Sequence, residues 1–255
     1  MKHNTGKYLE KRVLRKAGTA IHDYRMIGHG DRVMAAISGG KDSIVLLKIL
    51  SELKSSAPID FEIIPVHVST GFEKDFDRVR DWIYDHLGLT VEVFDSGIDE
   101  ILEHSSDPEK SPCALCSRLR RGILYSMAQK EKYTSIALGH HMDDIIETFL
   151  LRCFYTGQVG GMAPSRVSND GKNRIIRPLA YCKAELVDAY FKTFEVDPVA
   201  NSCPKRVDGK REQVRGYIRL LEKDIPTVKE SILSALGNID MKSLCLKETF
   251  SAHPY

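Results

Sequence analysis

Apolar positions along this chain fall into two rhythms that alternate: short unbroken runs, and stripes with a helical period. Residues 7–27 carry Leu9, Val13, Ala17, Ala20, Ile21 and Tyr24 on one stripe, which predicts an amphipathic helix. The run RVMAAI at 32–37 predicts a buried strand, and Ile44, Leu47, Leu50 and Leu53 predict a helix over 41–53. Further strands are expected at 61–68, 90–94, 135–138 and 174–177. Helices at 76–87, 119–131, 144–155 and 183–194 separate them or follow them. Such alternation predicts an α/β fold, a doubly wound parallel sheet whose ligands bind beyond the carboxyl ends of the strands. From about residue 201 the pattern turns wholly helical, with helices at 210–223 and 227–236 and then a tail. The expected organisation is an N-terminal helical element (1–29), a sheet domain (30–200) and a helical C-terminal region (201–255).

Composition narrows the function classes. A chain of 255 residues with 42% hydrophobic content can bury a full α/β core. It has no apolar run long enough to span a membrane, and its start, MKHNTGKYLEKRVLRK, lacks the apolar segment of a secretory leader, so a cytoplasmic protein is expected. Six cysteines in such a chain point to thiol, metal or redox roles rather than a disulfide scaffold. With a net charge of only +2, any nucleic-acid surface must be a local patch.

The chemistry-bearing residues cluster at the predicted strand ends. Ser38-Gly39-Gly40-Lys41-Asp42-Ser43 stands where the first buried strand turns into a helix. Two glycines let the backbone approach an anion, and the unpaired N–H groups of a first helical turn point at it. Ser38 and Ser43 add hydroxyl donors, and Lys41 a point charge. A Walker loop needs Gly at 35 and Ser or Thr at 42, where this chain has Ala35 and Asp42. A carboxylate beside phosphates requires a cation between them, so Asp42 implies Mg²⁺. At the fourth strand end, Gly139-His140-His141-Met142-Asp143-Asp144 supplies two more carboxylates. Asp143 is placed to complete a Mg²⁺ site on pyrophosphate. Helix capping accounts for one of these aspartates but not for both.

Pro112-Cys113-Ala114-Leu115-Cys116, with Cys203 far downstream, is open among zinc (His104 as a fourth ligand), a dithiol couple, structural thiols and an iron–sulfur cluster. Cys153 and Cys182 fit core positions. Arg118, Arg120 and Arg121 follow the cysteine pair at an expected helix start, where cations are unfavourable unless an anion is present. Arg211, Arg215 and Arg219, preceded by Lys205, Arg206 and Lys210, form a second basic stripe. With Lys7, Lys11 and Arg15 they make two faces suited to an RNA backbone, although a charge stripe on a helix is also an ordinary solvated face.

Together these residues resemble the PP-loop ATP pyrophosphatases and, within them, the tRNA 2-thiocytidine synthetase (TtcA) family. The likeness spans roughly residues 7–200. It is carried by Gly30-Asp31-Arg32-Val33-Met34, SGGKDS at 38–43, CALCSRLRRGILY at 113–125, IALGHHMDD at 136–144 and RPLAYC at 177–182. The resemblance implies a five-stranded parallel sheet, ATP cleavage to AMP and pyrophosphate, Mg²⁺, and a [4Fe-4S] cluster on Cys113, Cys116 and Cys203. It also implies a tRNA substrate, a sulfur donor (a cysteine desulfurase persulfide or free sulfide) and a homodimer. On this chain Lys41, Asp42 and Asp143 would be catalytic. The phosphate-binding set would be Ser38, Gly39, Gly40, Lys41, Asp42, Ser43, His67, Arg121, Gly139 and Asp144. The chemistry implied is transfer of AMP to the C2 carbonyl oxygen of cytosine, so that a phosphate leaves when sulfur arrives, with catalysis by positioning and charge neutralisation. The chain departs from the family at three places. Val199-Ala200-Asn201-Ser202-Cys203 replaces a Pro-Cys-Asn-Leu-Cys segment, the polar stretch at 204–211 differs, and His67-Val68-Ser69 replaces Asn-Leu-Asp. These leave the ATP chemistry intact and the acceptor open. A cluster-free PP-loop ligase acting on another carbonyl, or a nucleotide-binding zinc protein, are the alternatives.

Overall fold

The structure is a computed structural model that describes residues 2–104, 112–201, 203 and 209–245. Among these residues a six-stranded sheet has the order β4 (Glu92–Asp95), β2 (Phe61–Ser69), β1 (Asp31–Ala36), β5 (Ser135–Ala137), β7 (Arg174–Ile176), β6 (Ser165–Val167). The first five run parallel, as expected, and β6 pairs antiparallel to β7 at the edge. The sixth strand was not predicted. It is three residues long with half-buried to exposed positions, so it leaves no apolar run to detect.

β1 lies in the middle because both its faces are apolar. Val33 and Ala35 join the core beneath α1 (Lys2–Asp23) and α2 (Lys41–Ser56), while Met34 joins a second cluster beneath α5 (Pro112–Lys130) with Val66, Ala128 and Ile136. α1 buries Val13, Ala17 and Ala20 completely, part of the stripe read from the sequence. It stops at Asp23 rather than at 27, because Arg25 adopts a left-handed conformation, φ 46°. α3 (Phe76–Leu87) and the short α4 (Ile98–His104), which the sequence pattern missed, flank the β4 edge.

α5 begins at Pro112, seven residues before the helix expected at 119–131, so Cys113 and Cys116 sit in the first turns of a helix rather than before one. α6 (Met142–Thr156) follows β5. After β7 come a 3₁₀ turn (Pro178–Tyr181), with Pro at its first position, and α7 (Ala184–Phe191). α8 (Gly209–Asp224) and α9 (Val228–Gly237) pack on α6 through Met142, Ile146, Val214 and Ile218. No helix among the described residues is long and apolar enough to cross a membrane.

Two short strands not foreseen from sequence, β3 (Glu73–Lys74) and β8 (Ala200–Asn201), pair antiparallel over the carboxyl end of the sheet. Val199, just before β8, donates its backbone N–H to the Gly39 carbonyl at 2.9 Å. Lys205, Arg206 and the last ten residues lie outside the described residues.

Candidate active site

β1 and β5 are neighbours, and the chain leaves them into α2 and α6. The strand order diverges there, and the two helix N-termini face the space above the carboxyl ends. The loop from β1 is built around its small residues. Gly39 is left-handed (φ 78°), and a Cβ there would meet Val199 at 2.5 Å. The Ser43 hydroxyl donates to the Gly40 carbonyl at 2.8 Å and accepts from the Ser38 N–H at 3.2 Å. Gly40 caps α2 without a side-chain bond. Gly139, at the end of β5, packs on this loop. A Cβ at 139 would lie 2.8 Å from the Asp42 carbonyl and 2.9 Å from the Ser43 nitrogen. The absence of a side chain at 139 therefore gives clearance to the first turn of α2.

Above the loop opens a cavity of about 680 Å³. Ser38, Asp42, Ser43, Gly139 and Asp144 line it, with Arg120 and Arg121 from α5. Four more arginines line it: Arg152, Arg166, Arg177 and Arg211. Arg177 is 7% exposed; burial, with Arg166 and Arg121 nearby, lowers its pKa to about 10, so it stays charged at neutral pH. Among the described residues its Nε has no hydrogen-bond partner, and neither does Nδ1 of the cavity-lining His140. Burial holds His140 at about 4, a neutral imidazole. Polar atoms buried without partners beside six arginines describe a site shaped for a polyanion. Of the four added arginines, Arg177 belongs to a quoted motif and Arg211 to the basic stripe. Arg152 and Arg166 carried no sequence signal, because only the fold brings them here.

Asp42 and Asp144 are the carboxylates that face this space. Burial raises the Asp42 pKa and Asp144 adds to the rise, against the pull of His141, 3.9 Å away, and of Lys41. Two carboxylates that share a cavity suit a divalent cation, and this donor set fits Mg²⁺.

Three expected site residues make contacts outside the cavity. Asp143 turns away from the cavity: it accepts the Ala184 N–H at 2.7 Å and meets Lys229 Nζ at 2.7 Å. That ammonium, 4% exposed, also binds Glu185 at 2.7 Å and Glu222 at 3.1 Å. Asp143 thus joins α6, α7 and α9, so that of the expected Mg²⁺ carboxylates only Asp42 lines the cavity, where Asp144 accompanies it. Lys41 is not among the residues lining the cavity. Its ammonium pairs with Asp188 of α7 and, at 3.2 Å, with Asp42. Burial alone would lower the Lys41 pKa, but these carboxylates hold it above the usual range. His67 is 2% exposed, stacks on Phe76 at 3.5 Å and donates Nδ1–H to the Ile37 carbonyl at 2.7 Å. Burial lowers its pKa, and the neutral ring clasps the end of β1 to β2.

The C-terminal basic stripe divides between the cavity side and the outer face of α8. Glu147, 2% exposed, draws Arg215 inward through bonds of 2.6 and 3.3 Å. Arg211 stands 3.5 Å from both Asp144 and Glu147, at the cavity. A buried carboxylate needs counter-charges, and Arg215 and Arg211 supply them to Glu147. Arg219 remains outward, 3.5 Å from Glu212, and Lys11 and Arg15 are exposed on α1.

Cys113, Cys116 and Cys203 are each half-buried. The Cys116 thiol is pushed up by burial first. Cys203, Glu73 and Cys113 add to that rise, while Arg120 opposes it. The structure therefore gathers the downstream cysteine with the helical pair. Among the described residues no three His, Cys, Asp or Glu side chains converge as ligands of one ion would. Three thiols brought near one another supply the donor type that an iron–sulfur cluster takes. Cys182 is fully buried in the main core, as expected.

The glycine loop at the first strand, the arginine-lined cavity over the switch point and the flanking helices define a PP-loop nucleotide-binding α/β protein. Residues 9–219 match the PP-loop domain family (ATP_bind_3). The chain is 41% identical over 232 residues to the tRNA-cytidine(32) 2-sulfurtransferase of Shewanella denitrificans, covering 90% of this chain and 72% of that one. It is 40% identical over 233 residues to the protein of that name from a Marinomonas species, covering 91% and 83%. The chain belongs to this family, the tRNA 2-thiocytidine synthetases (TtcA), within the PP-loop proteins. In fold it is similar to the U34-tRNA thiolase NcsA from Methanococcus maripaludis, solved with its [4Fe-4S] cluster. The TM-score is 0.74 at 23% identity, over 98% of this chain and 86% of that one.

Proposed function

We propose that this protein is an ATP-dependent tRNA sulfurtransferase. It adenylates the C2 carbonyl of a tRNA cytidine, releasing pyrophosphate, and then exchanges that oxygen for sulfur, releasing AMP. The names of its relatives support this, and one observation on this chain carries it. α5 bears Cys113 and Cys116 in its first turns and Arg120 and Arg121 in the cavity wall. Cys116 and Arg120 are separated by about 6 Å of helix rise, so thiols and nucleotide cavity share one rigid element.

In this reading the carbonyl oxygen attacks the α-phosphorus and pyrophosphate leaves into the glycine loop. The first-turn N–H groups of α2 and the hydroxyls of Ser38 and Ser43 receive it. Arg120, Arg121 and Arg177 neutralise charge that develops on the phosphates. Asp42 and Asp144 would hold Mg²⁺. Lys41 orients the loop through Asp188 instead of touching phosphate. Cys113, Cys116 and Cys203 would hold a [4Fe-4S] cluster; when bound, it supplies an iron with a position open to sulfur. The sulfur comes from free sulfide or from a cysteine desulfurase persulfide that a thiol reductant supplies with two electrons, and a cytoplasmic homodimer is the expected working form. The sheet domain (30–200) carries the chemistry together with Cys203 and Arg211 from the C-terminal region, and the flanking helical parts, with Lys11, Arg15 and Arg219, meet the RNA.

The test is anaerobic purification with iron, sulfide and zinc analysis, alongside tRNA nucleoside profiling of a gene deletion. About four irons with matching sulfide, lost in Cys113→Ser, together with loss of 2-thiocytidine, is the expected result. One zinc and no iron, with an unchanged nucleoside profile, would overturn the reading in favour of a ligase acting on another carbonyl.

A further inference from the structure

Where α6 and α8 leave the cavity, their outer surface carries aromatic rings that the core does not use. Phe154, Tyr155 and Tyr217 are 57%, 42% and 43% exposed. They are not loosely held. The Tyr155 hydroxyl donates to Gln213 Oε1 at 2.8 Å, and Gln213 Nε2 donates to the Tyr217 hydroxyl at 3.0 Å. Phe154 meets Tyr217 edge to face, with centroids 6.4 Å apart. One glutamine thus fixes two ring planes that stay partly exposed, the order a stacking surface needs before its ligand arrives. The charge around it is cationic. Lys210 Nζ sits 4.7 Å above the Tyr155 ring. Arg152, one turn before Tyr155 on α6, lines the cavity itself, so the aromatic surface continues the cavity wall.

The geometry points to this ledge as a stacking platform for unpaired RNA bases next to the nucleotide that enters the cavity. The inference rests on the tRNA reading above and adds the surface that sorts loop from stem. Aromatic faces stack any base, cations on their flank take the backbone, and only unpaired bases offer a free face. A base that displaces Lys210 from the Tyr155 ring releases the ammonium to an adjoining phosphate. A second copy of this chain is the poorer occupant. A two-fold contact centred on the ledge would bring the cationic flank of one copy, with Lys210 and Arg152, against the same cationic flank of the other.

The experiment compares the wild-type protein with Tyr155→Ala/Tyr217→Ala and, separately, Lys210→Gln. Fluorescence anisotropy is read with two labelled RNAs of equal length, an anticodon stem–loop and a blunt duplex. A fluorescent ATP analogue is titrated in parallel to check that each variant is folded. The expected result is stem–loop affinity weakened roughly tenfold or more in the double variant, with duplex and nucleotide affinity unchanged. Lys210→Gln should flatten the salt dependence of stem–loop binding by about one ion. Equal stem–loop affinity in wild type and double variant overturns the platform while leaving the tRNA reading standing. A wild-type protein that binds neither RNA overturns that reading, and the platform with it. A wild-type dimer that dissociates in the double variant, with RNA affinity intact, reassigns the ledge to self-association.

Discussion

Replacing Lys229 with methionine tests the node that joins the C-terminal helices to the sheet. The ammonium is 4% exposed and contacts Asp143, Glu185 and Glu222. Methionine keeps most of the side-chain volume and removes the charge. Removing one member of a buried pair costs about 3–5 kcal/mol, because the other is left uncompensated. Here that other member is Asp143, whose side chain is 10% exposed. Glu185 is 66% exposed and regains water, so its share is small and the low end, about 3 kcal/mol, applies. For a protein of this size with a urea slope near 3 kcal/mol/M, the unfolding midpoint should fall by about 1 M. Circular dichroism in urea reads this directly, and a single transition is expected, since α8 and α9 share a core with α6. Lys229→Met combined with Asp143→Asn supplies the control. The neutral amide still accepts the Ala184 N–H, so the double variant should recover about 1–2 kcal/mol of the loss. A cost below about 1 kcal/mol for Lys229→Met, or strict additivity in the double variant, would refute the argument.

Three other outcomes follow from the same geometry. Asp143 and Asp144 should diverge: Asp144→Asn keeps the melting temperature but lowers pyrophosphate release roughly 100-fold, whereas Asp143→Asn lowers the melting temperature first; a coupled pyrophosphate assay and a thermal melt on each variant decide it. Gly139→Ala forces a methyl to within 2.8 Å of the Asp42 carbonyl, so it should cost about 1–3 kcal/mol of stability and abolish nucleotide binding measured by calorimetry. His67 is held neutral by burial, its pKa below the unfolded value, so the unfolded chain takes up a proton first as pH falls. The His67 contribution is therefore full above about pH 6.5 and declines below it, and His67→Gln should give a shallower loss of stability between pH 7 and pH 5 in urea titrations.

The sheet and the phosphate loop were legible because each rests on a local signal. RVMAAI is apolar on both faces, as a central parallel strand must be, and Gly-Gly at a strand-to-helix corner has few other uses. What stayed hidden depends on direction. Asp143 and Asp144 are neighbours in sequence, yet their side chains leave α6 on different sides, one toward Lys229 and one into the cavity. No reading of a D-D pair assigns those sides without knowing where α9 lies. Lys41 is similar: its partner Asp188 lies 147 residues away on α7. The basic stripe on α8 was visible, but Glu147, which claims Arg215, is a single buried carboxylate on another helix. The early start of α5 escaped because its first turns are cysteine and arginine rather than an apolar stripe.

The short stretch from Val199 to Cys203 bears on how separable the parts of this protein are. Its first residue fills the space that a side chain at position 39 would need and bonds the Gly39 carbonyl; the next two pair with β3, and the thiol follows two positions later. A glycine loop transplanted onto another sheet without this stretch would lose the wall that shapes it, and a cysteine moved without the loop would lose its anchor. Redesign of either part must carry both, as one module assembled from two distant pieces of chain.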